Sequence, residues 1–271
     1  MFPILYQNEL ITIYTHDFFT TVGLLVGLAI YYYELHRRNL LGEEIFWISI
    51  AALFGGAIGA RIITSWEHLD YYSNFGSVPF SYLISHSGKS IIGAIAGGYL
   101  AIYLSKRAFK YTESTGDCYA PAIPLAMAIG RIGCFFSEMP LGTPTTLPWG
   151  ISASPEVAAQ FTNCTHCTEA MHPSMIYEII FHLIALFVIL RWRKRIHVHG
   201  ETLKLYLVVS AIFRFFVEFV RGNTEQVMGL TGPQVVLIPL TALLFWHFYR
   251  QWKRGVYKIP VPRPIHSFRE V

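Results

Sequence analysis

The sequence predicts an all-α protein that crosses a membrane several times. Of its 271 residues, 53% are hydrophobic and only 14% are charged, whereas about 25% of residues are charged in soluble domains. Seven apolar segments approach the length of about 20 residues that a helix needs to span a bilayer. Basic residues also concentrate in alternate connections between these segments, as they do in polytopic membrane proteins.

The apolar segments follow one another along most of the chain. They cover residues 16–34, 45–66, 90–105, 117–137, 173–190, 202–220 and 230–248. We therefore expect a seven-helix membrane domain over residues 1–250, with an outer loop at 138–172, and then a basic tail at 251–271. We expect no cleavable signal peptide, because no basic region and small-residue cleavage site precede the first segment.

The distribution of basic residues predicts the orientation. The connections after the first, third and fifth segments, with the C-terminal region, contain 15 of the 21 Lys and Arg residues. The positive-inside rule places them in the cytoplasm, so the N-terminus lies outside and the C-terminus inside. The loop from Glu138 to His172 contains no Lys or Arg, which suits a translocated segment. The net charge of +4 is spread over these loops, so we expect no nucleic-acid partner.

The second segment contains the sequence GGAIGAR. Gly55 and Gly59 have the spacing of a small-xxx-small contact face, which favours close helix packing. Arg61 follows two residues later, and the sequence leaves open whether it anchors the helix at the membrane interface or binds a lipid. The third segment opens with HSGKSIIGAIAGG. Its polar residues at a helix N-terminus favour phosphate binding, although this signal is weak alone. These residues are His86, Lys89 and Ser90.

Arg131 lies in the fourth apolar segment, where an arginine costs about 2.5–3.5 kcal/mol on insertion scales. A residue that costs so much usually holds an anion. Cys134 and Glu138 follow at three and seven positions, so they share its face if the helix continues that far. Cys118 and Cys134 are interpreted as packed thiols. In the outer loop, Cys164 and Cys167 with nearby histidines fit either zinc or a disulfide, and an oxidising exterior favours the disulfide.

The sixth segment contains Arg214, Glu218 and Arg221 on one helix face. They form either an internal salt-bridge ladder or an anion site. One carboxylate cannot neutralise both arginines, so one remains available for a phosphate or carboxylate. Guanidinium groups bind phosphate oxygens bidentately, so arginines from two helices predict a grip on a phospholipid head group at the outer leaflet.

The stretch GRIGCFFSEMPLGTPTTLPWG at 130–150 resembles the signature of the bacterial prolipoprotein diacylglyceryl transferases, in which GRIGNF, an acidic residue, a glycine and PTxLPWG recur. Four further stretches agree with that family in order. They are GARI at 59–62, HPSMIYE at 172–178, RFFVEFVRG at 214–222 and GLTGPQVVLIPL at 229–240.

This resemblance implies a seven-helix protein of the bacterial inner membrane. It implies transfer of a diacylglyceryl group from phosphatidylglycerol to the lipobox cysteine thiol of a preprolipoprotein, which forms a thioether and releases glycerol phosphate. We expect no soluble cofactor and no metal. The catalytic residues expected on these grounds are Arg131, Arg214, Glu218 and Glu138, and the substrate-binding residues are Arg131, Arg61, Ser90, Gly142, His172 and Arg221.

The chain departs from the family pattern at several positions. Ile92 stands where the family motif GGMSFHGG has its histidine, and isoleucine cannot take a proton. Cys134 replaces the asparagine of GRIGNF, and the acid appears one residue early, as Glu138. Helix 1 carries THDFFTT at 15–21 in place of the family's polar aromatic motif. Three hypotheses stay open: a transferase in which the arginines, Glu138, Glu218 or His172 replace the histidine, a paralogue with another acceptor, and a non-catalytic phospholipid-binding or membrane-assembly protein.

Overall fold

The structure, a computed structural model, describes residues 3–8, 12–67, 90–138, 142–155, 169–193, 198–222 and 225–257. Each predicted apolar segment overlaps one α-helix within these ranges. The helices are α1 (Thr15–Arg37), α2 (Glu43–Glu67), α3 (Ile91–Ala108), α4 (Gly116–Phe136), α5 (Ser174–Trp192), α6 (Glu201–Val217) and α7 (Gly232–Lys253). A 3-10 turn at Glu218–Val220 extends α6.

Five of the helices are long and apolar enough to cross a membrane, among the residues that the structure describes: α1, α2 over Glu43–Ile62, α4, α5 and α7. The other two are shorter or more polar, because α6 has 17 residues and α3 ends with Lys106 and Arg107. Large apolar side chains lie exposed on the helices, for example Phe54 at 68% and Phe187 at 70%. Such surfaces are stable in lipid and would be costly in water, so the chain is a membrane protein.

Two short β-hairpins accompany the helices, and the all-α prediction did not include them. Strands β1 (Ile4–Gln7) and β2 (Thr12–Tyr14) are antiparallel and precede α1. Strands β3 (Glu225–Val227) and β4 (Leu230–Thr231) are joined by a turn in which Met228 and Gly229 both have positive φ. The second hairpin ends at Thr231, which caps α7 together with Gln234. It therefore fixes where α7 begins.

The chain divides into two compact units, and the smaller one comprises residues 35–113. Its helices α2 and α3 approach each other closely at glycine positions. A Cβ added to Gly55 or Gly59 would overlap backbone atoms of Gly97 or Gly93 on the facing helix. The predicted close approach at Gly55 and Gly59 is therefore confirmed, and its partner is the glycine pair of α3.

The larger unit comprises residues 1–34 and 114–271. Helix α4 packs against α5 and α6 around Ala120, Ile189 and Tyr206, which are buried. Helix α1 approaches α4 closely, because a Cβ added to Gly23 would lie 2.7 Å from the backbone oxygen of Ala126. Helices α1, α4, α5 and α6 in this unit carry the residues of the site described next.

Candidate active site

Three arginines of the larger unit converge on one carboxylate, that of Glu178 on α5. Arg131 Nε forms an ion pair with Glu178 Oε2. Arg221 Nη1 donates to Glu178 Oε1 at 2.7 Å, and Arg214 Nη1 lies 3.5 Å from the same oxygen. Arg214 Nη2 also pairs with Glu218 Oε2 at 2.7 Å. We call these five residues the arginine cluster.

Each member of the cluster is placed by the local structure of its own element. Arg131 lies in the last two turns of α4, and Glu178 lies in the second turn of α5. Arg214 belongs to the last turn of α6, and the 3-10 turn that follows brings Arg221 to the same point. Oγ1 of Thr231, outside the cluster, donates to Glu218 Oε1 at 3.1 Å, so the start of α7 holds this carboxylate in place.

The cluster is buried and has a surplus of positive charge. Three guanidinium groups face two carboxylates, so its formal charge is +1. The side chains of Arg131 and Arg221 are only 10% and 14% exposed. Within the described residues, Arg221 Nε is buried without a hydrogen-bond acceptor, and Arg214 Nη1 is within ion-pair distance of Glu178 but makes no hydrogen bond of good geometry. A buried donor left unsatisfied costs about 1–3 kcal/mol, so the cluster favours an additional anionic acceptor.

The arrangement differs from the sequence prediction for the sixth segment. Of the two arginines, Arg214 is the one that pairs with Glu218, which begins the 3-10 turn after α6. Arg221 is not left without a carboxylate, because Glu178 of another helix pairs with its Nη1, although its Nε has no acceptor among the described residues. The sequence argument weighed only charges within one segment and therefore missed Glu178. The signal was present, since Glu178 is the only carboxylate in the apolar stretch SMIYEIIFHLIALFVILRW of α5, and an intramembrane acid needs a partner.

Glu138 lies just beyond the end of α4, so the helical spacing from Arg131 does not extend to it. The helix ends at Phe136, and Glu138 adopts a positive φ of 58°. Its carboxylate accepts a hydrogen bond from the backbone N–H of Ser154 at 2.6 Å. Burial raises the pKa of Glu138, but hydrogen bonds to the carboxylate outweigh burial and hold the pKa below its ordinary value. Glu138 thus fastens the outer loop as a carboxylate.

Gly142 and His172 join the outer loop to the cluster's elements. Gly142 N–H donates to the His172 carbonyl at 2.9 Å, and Thr143 N–H donates to the Val220 carbonyl at 2.9 Å. A Cβ at Gly142 would overlap both Val220 and His172, so close packing explains why glycine occurs there. His172 Nδ1 lies 3.1 Å from the hydroxyl of Tyr177.

Two predicted substrate-binding residues lie in the smaller unit. The side chain of Arg61 is exposed and its Nη1 reaches the Ala57 carbonyl of its own helix at 3.5 Å. Ser90 caps α3, since its hydroxyl accepts from Gly93 N–H at 3.3 Å. Their roles toward a ligand stay predictions. His86, Lys89, Cys164 and Cys167, and residues 258–271 of the predicted tail, lie outside the described residues.

Cys134 is more than a packed thiol. It is buried, as the sequence predicted, but Arg131 Nη1 donates to its sulfur at 3.5 Å. The shared face of Arg131 and Cys134 on α4 is therefore confirmed. Cys118 is buried at the other end of the same helix.

Comparison with known proteins gives one family over nearly the whole chain. Residues 3–250 match the family model described as prolipoprotein diacylglyceryl transferase. This range includes every member of the arginine cluster and the outer loop.

Individual relatives agree with the family match. Three proteins named phosphatidylglycerol–prolipoprotein diacylglyceryl transferase illustrate the similarity. That of Fervidobacterium nodosum is 34% identical and is aligned over 82% of this chain and 78% of its own length. That of Nitratidesulfovibrio vulgaris is 35% identical over 82% and 80%, and that of Thermotoga maritima is 30% identical over 83% and 78%.

Proposed function

This chain belongs to the prolipoprotein diacylglyceryl transferase family, and we propose that it transfers a diacylglyceryl group from phosphatidylglycerol to a cysteine thiol of a preprolipoprotein. The names of its relatives supply the two substrates. The product is a thioether on the lipobox cysteine, and glycerol phosphate is released.

The observation that carries this proposal is the arginine cluster. Its charge of +1 and its buried, unsatisfied guanidinium donors favour binding of a phosphate. Cleavage of the carbon–oxygen bond next to a phosphodiester leaves a phosphate monoester with more negative charge than the lipid had. Fixed guanidinium groups stabilise that developing charge, and their effect is large where water is excluded. Arg131 and Arg214 are the expected groups for this task.

The predicted topology places the cluster where both substrates are available. We propose that all seven helices span the inner membrane, with the N-terminus outside. Arg131 near the end of α4 and Arg214 near the end of α6 then lie close to the outer leaflet. Phosphatidylglycerol reaches them from the bilayer and the preprolipoprotein from the outer surface, so the membrane itself positions the reactants.

A second function is suggested by Ile92, which the resemblance to the family motif aligns with the family's histidine. Without a proton acceptor, the same cluster would bind a phospholipid and not react, and the chain would be a phospholipid-binding or membrane-assembly protein. Transfer to an acceptor other than a preprolipoprotein is the intermediate case. All three functions require the arginine cluster to bind the lipid phosphate, and they differ in the product formed.

Reconstitution of the purified chain distinguishes these functions. Vesicles would contain phosphatidylglycerol labelled in its diacylglyceryl group and a lipobox peptide, with thioether formation followed by mass spectrometry. We expect product from the wild type and at least a hundredfold loss in Arg131→Gln and Arg214→Gln, as for removal of one charge-stabilising donor. Arg107→Gln, an exposed arginine at the end of α3, is the control.

The outcomes separate cleanly. Phosphatidylglycerol that co-purifies with the wild type but yields no product supports the binding protein. Product on another acceptor, found when membrane extracts replace the peptide, supports the paralogue. A folded protein that binds no phosphatidylglycerol and forms no product would refute phosphate binding by the arginine cluster. Rescue of a bacterium depleted of its own diacylglyceryl transferase tests the first function in cells.

A further inference from the structure

The thiol of Cys134 connects the arginine cluster to an imidazole on another helix, that of His16. Arg131 Nη1 donates to the Cys134 sulfur, and His16 packs against the adjacent Gly133, so that its imidazole interacts electrostatically with the same thiol. His16 lies in the first turn of α1, whereas Arg131 and Cys134 lie on α4. Helices α1 and α4 therefore place the His16 imidazole close to Cys134, whose sulfur accepts from Arg131 of the predicted phosphate site.

Packing between α1 and α4 holds this imidazole in place. A Cβ added to Gly133 would lie 2.7 Å from Phe19 Cβ and 3.3 Å from the Cα of His16, so the helices touch backbone to backbone. One turn further, the rings of Phe19 and Phe136 stack with centroids 5.6 Å apart. The position of His16 is thus fixed by apolar contacts on the residues around it.

Other imidazoles near the cluster are less suited to accept a proton from a substrate. His182 is one turn after Glu178 but is buried, and its Nδ1 lies 3.1 Å from the Tyr206 hydroxyl. His172 shares the Tyr177 hydroxyl with the indole N–H of Trp149. The His16 side chain is 45% exposed. Of these three histidines, His16 is the one that lies beside Cys134, the neighbour of the arginine cluster, and is also accessible from outside the protein.

We propose that His16 accepts the proton of the acceptor thiol, a role that isoleucine at position 92 cannot perform. This inference rests on the proposed transfer reaction. The thiol S–H bond breaks and its proton passes to the imidazole. The sulfur forms a bond to the terminal glycerol carbon of the diacylglyceryl group, and the bond from that carbon to the phosphate oxygen breaks. The electron pair stays on the phosphate oxygen, and the imidazolium later releases its proton to water.

The surroundings of His16 define the controls. Asp17 Oδ1 lies 3.6 Å from His16 Nδ1, and the Cys134 thiol with Arg131 behind it lies on the side of α4. These are the charged and titratable groups that the described residues place next to the imidazole. His36, in the last turn of the same helix and exposed, offers a matched histidine away from the cluster.

The test uses the full chain in phosphatidylglycerol vesicles with a lipobox peptide, across the imidazole range of about pH 5–8. We expect His16→Gln to lower kcat by 10²–10⁴-fold, the usual contribution of a general base, with little change in KM for the lipid. The rise of the wild-type rate with pH should disappear in this variant. Free imidazole should restore activity to His16→Ala, and His36→Gln should behave as the wild type.

Two results would overturn the inference in different ways. A wild type that makes thioether while His16→Gln keeps the same rate and pH profile removes His16 alone and leaves the proposed function standing. A wild type that makes no thioether overturns the proposed function and the role of His16 with it.

Discussion

Replacement of Glu178 by glutamine tests whether one carboxylate neutralises three arginines. Glu178 is 2% exposed and pairs with Arg131, Arg214 and Arg221. Glutamine keeps the size of the side chain but raises the formal charge of the cluster from +1 to +2. Loss of one partner from a buried ion pair costs about 3–5 kcal/mol, because the remaining charge is left without compensation. We expect a cost at the upper end of this range, since three guanidinium groups lose the same partner.

Thermal unfolding of the purified protein in detergent measures this cost. At about 2–4 °C per kcal/mol for a chain of this size, a cost of about 5 kcal/mol lowers Tm by roughly 10–20 °C. Glu44→Gln is the control, because Glu44 carries the same charge at the start of α2 but is exposed. We expect it to change Tm by no more than about 2 °C, as is usual for surface substitutions.

A double substitution separates charge balance from packing. Arg221→Met in the Glu178→Gln background returns the formal charge of the cluster to +1. We expect the pair to be less destabilised than the sum of the two single variants, by about 0.5–3 kcal/mol. Equal Tm values for Glu178→Gln and Glu44→Gln, or strict additivity with Arg221→Met, would refute the idea that these charges form one buried network.

Further predictions concern backbone contacts and the outer loop, and each is measured as a change in Tm against the wild type. Gly142→Ala should lower the free energy of unfolding by about 1–3 kcal/mol, because its Cβ overlaps two chain segments. Gly130→Ala is the control and should be tolerated, because nothing lies within 4 Å of the added atom. Equal effects of the two substitutions would contradict the packing role of Gly142. Gly97→Val should separate α2 from α3 and destabilise more than Gly142→Ala, because its Cβ position overlaps the Gly55 backbone. A smaller effect would count against the close glycine contact. Trp149→Phe removes the donor to the Tyr177 hydroxyl, so we expect a loss of about 0.5–1.5 kcal/mol, which an unchanged Tm would disprove.

The helices could be predicted from the sequence because lipid leaves the backbone few alternatives. A spanning segment must satisfy its own N–H and C=O groups, so long apolar stretches form helices wherever they occur. The close contact of α2 with another helix could also be predicted from the spacing of Gly55 and Gly59. The short hairpins were not, because strands of two to four residues carry too little pattern.

The candidate site could be predicted in part, through the cost of arginine in an apolar helix. That argument found Arg131 and Arg214 but not their partner, since Glu178 lies 47 and 36 residues away from them in the sequence. Its condition for placing Glu138 on the face of Arg131, a helix that continues that far, is not met, because α4 ends at Phe136. Contacts within one helix follow from spacing, whereas contacts between helices depend on how the helices pack. His16 was missed for the same reason, because its partner Cys134 is on another helix.

The pairing of Arg131 with Glu178 has a consequence for biosynthesis. Arg131 on α4 leaves the ribosome well before Glu178 on α5, so during translation the nascent α4 carries a guanidinium with no carboxylate to meet it. Stable integration of α4 therefore depends on the arrival of α5, and the translocon must keep α4 nearby until then. A nascent chain that stops after residue 155 should be degraded faster in a pulse-chase experiment than one that stops after residue 193, and equal lifetimes would show that α4 integrates alone.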